Sequence, residues 1–166
     1  MQQNPMVESL VESSKVTAVE GMEYFLRNFS FVPDDKLTWT PAPTAKSAIR
    51  IAAHTALYAG IFAQMMRDRK LPFGDEIPAF VARNEAAETM LIDRAEMERV
   101  FRRNTDAVID TLDDLTPEAI DIVFDAALGF SVPMRRLMNM PGWHATLHAG
   151  QIDFLQTCWD DQEIYF

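Results

Sequence analysis

The sequence predicts an all-α protein, a four-helix bundle folded as a single domain over residues 1–166. Three observations carry that expectation. Apolar residues recur every three or four positions over four long stretches. Prolines and glycines gather mainly between those stretches. No alternating run is long enough to build a sheet, so burying the apolar faces of helices against each other is the economical architecture. A composition of 48% hydrophobic and 24% charged residues suits a globular chain. At this length it buries roughly 70% of its unfolded surface on folding.

The first helix is expected over about residues 5–28. Asn4-Pro5 opens it, because proline is tolerated in a first turn whose N–H has no partner. Val7, Leu10, Val11, Ser14, Ala18, Gly21, Met22 and Phe25 then fall on one face. Phe29 to Ala45 holds Pro33, Pro41 and Pro43, which break helix and strand alike. A loop this long should pack through Phe31, Leu37 and Trp39.

Ser47 is placed to cap a second helix with the stripe Ile51, His54, Leu57, Tyr58, Ile61, Phe62 and Met65. That helix ends near Lys70, where Arg67, Arg69 and Lys70 oppose the C-terminal dipole and Pro72 stops propagation. Asn84 is read as the cap of a third helix, its buried side marked by Met90, Met97, Val100, Phe101, Val108, Leu112 and Leu115. Thr116-Pro117-Glu118 starts a fresh short turn.

Val123-Phe124 and Phe130-Ser131-Val132 suit strands, yet a lone hairpin is marginal in water, so residues 120–132 are expected to form an irregular crossover. The fourth helix runs from Pro133 to about Trp159, with Met134, Leu137, Met140, His144, Leu147, His148, Ile152, Phe154 and Leu155 on its inner side. Pro141-Gly142 should kink it.

Net charge narrows the function. At −10, with a pI near 4.7, the chain repels nucleic-acid phosphates and anionic lipid. Its densest basic patch is only Met66–Lys70. The single cysteine, Cys158, excludes an internal disulfide and fits a reducing compartment. The N-terminus has glutamates where a signal peptide carries positive charge, and no apolar run approaches the ~20 residues of a membrane span. A cytoplasmic location is the expectation. The ten methionines are read as core filler.

The chain has three histidines, and every one falls on a core-facing position of an expected helix. His144 and His148 are four residues apart, so their side chains lie one above the other on one face. His54 sits in the second helix among Ala52, Ala53, Ala56 and Ala59, which let another backbone approach closely. If the second and fourth helices are neighbours, three imidazoles share a point. Burying three imidazoles without partners costs desolvation, and a metal ion would offset it. Neutral imidazole suits Zn, Ni, Fe and Cu, and three protein ligands leave an open position, as in catalytic sites.

These residues resemble the DinB-like family of bacterial four-helix metalloproteins. His144-x-x-x-His148-Ala149-Gly150-Gln151-Ile152 is similar to that family's closing motif. Leu37-Thr38-Trp39-Thr40-Pro41 with Ser47, Ile51, Ala52 and His54 is similar to its approach to the second helix. The resemblance spans nearly the whole chain. It implies an up-down-down-up left-handed bundle with long crossover loops, often a homodimer. It also implies a divalent ion, Zn or Ni first and Fe or Mn as alternatives, on His54, His144 and His148. Its members include transferases that use low-molecular-weight thiols, so the implied function is a metal-dependent enzyme of the thiol-transferase or hydrolase kind acting on a small molecule. Two departures are Ala149, where the family often carries arginine, and Pro141-Gly142 just before the paired histidines.

Other residues are weaker candidates. Tyr58, one turn beyond His54, is either a hydroxyl donor at the site or a core aromatic. Gln151, three residues beyond His148, either bonds a metal-bound water or makes a helix contact. Glu8, Glu12 and Asp153 are possible acceptors for imidazole N–H groups, and Asn104 a possible polar anchor. Cys158 is ~15 Å along the helix from His148, too far to be a ligand. No Gly-rich phosphate loop is present, and no Ser-His-Asp set exists apart from these histidines. The competing functions are a non-catalytic, stress-related binding or dimerisation bundle with structural or no metal, and a pocket for an apolar ligand between the helices.

Overall fold

The computed structural model describes residues 5–72, 76–125 and 131–165. Helix α1 spans Pro5–Ser30 and buries Ala18, Met22, Phe25, Leu26 and Phe29 along the stripe its sequence marks. The loop that follows makes one 3-10 turn at Asp34–Lys36. Leu37 and Trp39 dock on the core as expected, Trp39 edge-on to Trp159 at 5.6 Å. Phe31 instead stays outside the core and stacks on Tyr165 at 3.8 Å.

Helix α2 spans Ala48–Asp68 and begins after Ser47, whose backbone carbonyl accepts the first bond from Ile51 N–H at 2.9 Å. The Ser47 side chain makes no capping bond. At the other end Arg69 adopts a left-handed conformation, φ 52°, that closes the helix.

The third expected helix is two helices. Helix α3 spans Ile77–Met90 and helix α4 spans Arg94–Asp113. Asn84 is not a cap but lies inside α3, buried. The cap of α4 is Asp93, whose carboxylate accepts from Glu96 N–H at 2.8 Å, the Asp-x-x-Glu arrangement that satisfies an otherwise unpaired first-turn donor. Arg94 ties this start to the end of α1, donating to the carbonyls of Phe29 at 2.8 Å and Val32 at 2.6 Å with its guanidinium over the Phe29 ring. The break also turns Met90, an expected core residue, out to solvent.

Thr116 caps the short α5, Pro117–Ile120, as expected. The irregular crossover is corrected: β1, Val123–Asp125, pairs antiparallel with β2, Ser131–Pro133, with Phe124 opposite Val132. The pairing is not a lone ribbon in water. Phe124 is buried against Ile120, Met134 and Leu137, so tertiary packing supplies what an isolated hairpin lacks. Phe130, also read as strand, lies outside the described residues.

Helix α6 spans Met134–Thr157, and Pro141 lies inside it without dividing it. The side-chain pairings fix the bundle. Ser14 with Asn139 and Asn28 with Asp153 run in the same order along α1 and α6, so these two are parallel. Asn104 with Ala56 and Arg67 with Thr111 make α2 and α4 parallel, while Arg94 at the end of α1 makes α1 and α4 antiparallel. The four long helices are therefore up-down-down-up. Around the bundle α6 lies between α1 and α2, and α4 between α2 and α1.

Two glycines bring α1 and α6 together. A Cβ on Gly21 would stand 2.6 Å from the Gly142 carbonyl oxygen, and one on Gly142 would collide with the backbone carbonyl of Thr17. Between α2 and α6, Ala52, Ala56, Ala145 and Ala149 are buried in one cluster. Ala149 has no exposed surface, so the arginine common at this point of the motif would not fit here.

Candidate metal centre

Lys46, Arg50, His54 and Tyr58 recur every four residues, which puts them in one line along α2 and the turn before it. His144 and His148 form the matching line on α6. Where the two helices meet, the ring centroid of His54 lies 5.1 Å from that of His144 and 4.8 Å from that of His148, and His144 and His148 are 4.3 Å apart. One ligand atom from each ring lies within 4.8 Å of the other two. The convergence expected of the three histidines is present, and Pro141-Gly142 does not spoil it.

Hydrogen bonds select the tautomers. Glu88 of α3 is 1% exposed and accepts from His54 Nδ1–H at 2.6 Å and from Lys46 Nζ at 2.5 Å, with Arg50 Nη2 at 3.4 Å. Burial by itself would raise the Glu88 pKa, but the bonds from Lys46 and His54 outweigh it and hold the carboxyl below its ordinary value. The carboxylate therefore fixes the proton of His54 on Nδ1 and leaves the Nε2 lone pair bare. Gln151 Oε1 does the same for His148, accepting from Nδ1–H at 2.7 Å. The Nε2 atoms of His148 and His144 then face each other at 3.0 Å. The bare His148 Nε2 either accepts a hydrogen bond from His144 Nε2–H or, with the His144 proton moved to Nδ1, shares a metal ion with it. Two ligands bound tetrahedrally at ~2.1 Å are ~3.4 Å apart, so a small parting of the two rings admits one ion.

The charge state suits it too. His144 is the most enclosed of the three, and burial, then the neighbouring His148, His54 and Lys46, push its pKa down to about 2. Burial also lowers His54 and His148. All three imidazoles are neutral at pH 7, the form that ligates metal. Tyr58 and Phe62 wall the inner side, their ring centroids each 5.3 Å from that of His144. The outer side opens into a cleft of about 450 Å³ that reaches from His54 and His148 to Pro41, Lys46, Phe154 and Leu155.

The sequence matches the DinB superfamily over residues 19–152, a span that holds all three histidines. The chain belongs to the DinB superfamily. Its structure is similar to the crystal structure of YjoA, a DinB-like protein from Bacillus subtilis, with a TM-score of 0.65 at 18% identity. The match covers 93% of this chain and 96% of that one, and at such low identity the likeness concerns the fold. No curated protein matches the sequence significantly.

Within this DinB fold the remaining sequence candidates separate cleanly. Gln151 holds His148, a role expected of a carboxylate and not of this amide. Tyr58 is a wall: its ring lies 4.2 Å from His54 and its hydroxyl sits beside the Asn84 amide. Asn104 is a polar anchor away from the histidines, donating to the Ala56 carbonyl at 2.8 Å. Asp153 serves Asn28, and Glu12 pairs with Lys15, so neither reaches an imidazole; Glu8 lies with Glu12 at the start of α1. Cys158 is exposed. Leu147 and Phe154, expected on the inner side of α6, are 50% and 62% exposed.

The acceptor that sequence reasoning missed is Glu88. A signal for it existed in two halves: a polar line of Lys46, Arg50 and His54 that needs an acid, and Asn84 and Glu88 one turn apart among alanines in α3.

Proposed function

We propose that His54, His144 and His148 hold one divalent ion, Zn or Ni first and Fe or Mn as alternatives. On this reading the protein is a metal-dependent enzyme of the thiol-transferase or hydrolase kind. The supporting observation is a single one: three imidazoles converge, and at two of them Nδ1 faces a hydrogen-bond acceptor that favours the proton there and leaves Nε2 to the ion. Such an ion supplies Lewis-acid chemistry at an open coordination position. The chain's own residues do the rest. Glu88 and Gln151 orient His54 and His148, and losing partners of this kind typically costs about 10–100-fold in metal affinity. Tyr58 and Phe62 exclude water from the inner side, and the cleft admits a small molecule from the outer one. That molecule is a low-molecular-weight thiol or a small ester or amide.

A homodimer and a cytoplasmic location belong to the same proposal. Among the described residues no helix is long and apolar enough to cross a membrane. Sedimentation velocity tests the dimer.

The metal is tested by titrating ion-free protein with Zn(II) or Ni(II) by calorimetry. The expected result is one ion per chain, with binding abolished when all three histidines become alanine and weakened about 10–100-fold in Glu88→Gln. Equal binding by the triple-alanine variant overturns the site. The loaded protein is then assayed for conjugation of glutathione, bacillithiol and mycothiol and for hydrolysis of esters and amides. Silence throughout leaves a binding bundle in place of an enzyme.

A further inference from the structure

The cleft beside the histidines has a chemical asymmetry. In a chain with 25 acidic and 15 basic residues, the charged side chain among the described residues that line it is the cation Lys46, and none of them is a carboxylate. Glu88 lies beneath, almost wholly buried, and one carboxylate there faces two permanent cations, Lys46 and Arg50. Two cations against one carboxylate leave a net positive charge there, and Arg50 Nε is buried with no hydrogen-bond partner among the described residues. Gln151 spends its carbonyl oxygen on His148, and its amide N–H groups remain as donors at the same rim. The rest of the lining is apolar: Pro41, Ala45, Ile51, Phe154 and Leu155. Phe154 is 62% exposed at the rim, a large apolar surface that the described residues leave uncovered.

We propose that this cleft is a subsite for a small organic acid, its carboxylate held by Lys46 and the Gln151 amide and its apolar body laid on Ile51, Phe154 and Leu155. The volume is within the range of small-molecule sites, and a few placed polar groups in an apolar lining give such sites their orientation. An ammonium–carboxylate bond is stronger than a neutral one, so it discriminates acid from amide. The positive rim also concentrates anions against a polyanionic surface that otherwise repels them. This subsite rests on the proposed metal centre for what happens to the ligand, but not for where the ligand binds.

The test compares hexanoate with hexanamide on the full chain, free of zinc and then with one equivalent of Zn(II), following binding by NMR titration. Zinc-free protein should bind hexanoate about tenfold more tightly than hexanamide. Lys46→Gln should erase that preference, and Lys46→Arg should keep most of it. Phe154→Ser, at an exposed position that leaves folding intact, should weaken both probes alike. A preference that survives Lys46→Gln, or that exists only in the presence of zinc, overturns the proposal, because the anion is then held by something other than this lysine. If zinc fails to bind but the preference for hexanoate stands, the metal reading falls and the subsite remains.

Discussion

The contact between α1 and α6 and the contact between α3 and α2 are built in opposite ways. At the first, Gly21 and Gly142 bring two backbones together and apolar side chains fill the space on both sides. At the second, the two buried residues of α3 are Asn84 and Glu88, and both are polar. Helix α3 is held where it is by a carboxylate bonded to Lys46 and His54. One face of the molecule therefore depends on shape, and the other depends on the charge and protonation of the residues around the histidines.

Breaking the shape-dependent side should have the largest effect. Gly142→Ala adds a methyl where the Thr17 carbonyl stands, and neither backbone can yield without separating the helices. Overpacking of this severity costs about 3 kcal/mol, read as a lower midpoint in urea.

On the other side the lever is pH. Above pH 6.5 the three imidazoles are neutral in the folded and in the unfolded chain. Below it the unfolded chain takes up protons that the folded chain refuses, so the stability of the ion-free protein falls with falling pH. His144, with its folded pKa at about 2, accounts for about 2 kcal/mol between pH 7 and pH 5. Glu88 is held below 4.5, so its own loss enters only at lower pH. A denaturation midpoint that does not move between pH 7 and pH 5 would contradict an enclosed, neutral His144.

Glu88→Ala should cost less, about 1–2 kcal/mol, because Lys46 and Arg50 retain some access to water. Its signature is its location: faster amide exchange in Ile77–Met90 with α1 and α6 still protected. Uniform loss of protection would mean that α3 is not held separately. The smallest change goes the other way. Gly150 has open space around it, so Gly150→Ala should stabilise the chain by about 0.5–1 kcal/mol.

The legibility of the sequence followed the same division. The positions of α1, α2 and α6 were readable because a 3.6-residue period fixes which residues share a face, whereas the meeting of His54 with His144 and His148 depended on α2 and α6 being neighbours, which only the family resemblance implied. The break between α3 and α4 was not readable, although Asp93 and Glu96 stood at capping spacing, because Met90 and Leu91 carry the apolar spacing across it. The hairpin at Val123 and the burial of Glu88 depend on partners far away in the chain, and local pattern is silent on those. Exposed Leu147 and Phe154 show the limit from the other direction: apolar spacing marks a face of α6 but not whether that face is covered.

The central claim is that the three imidazoles serve one ion. Anomalous scattering from crystals of protein purified without an affinity tag tests it most directly. One peak per chain, bonded to His54, His144 and His148, is the predicted result. A chain that crystallises metal-free after exposure to Zn(II) and Ni(II), or whose ion sits on other residues, would contradict it.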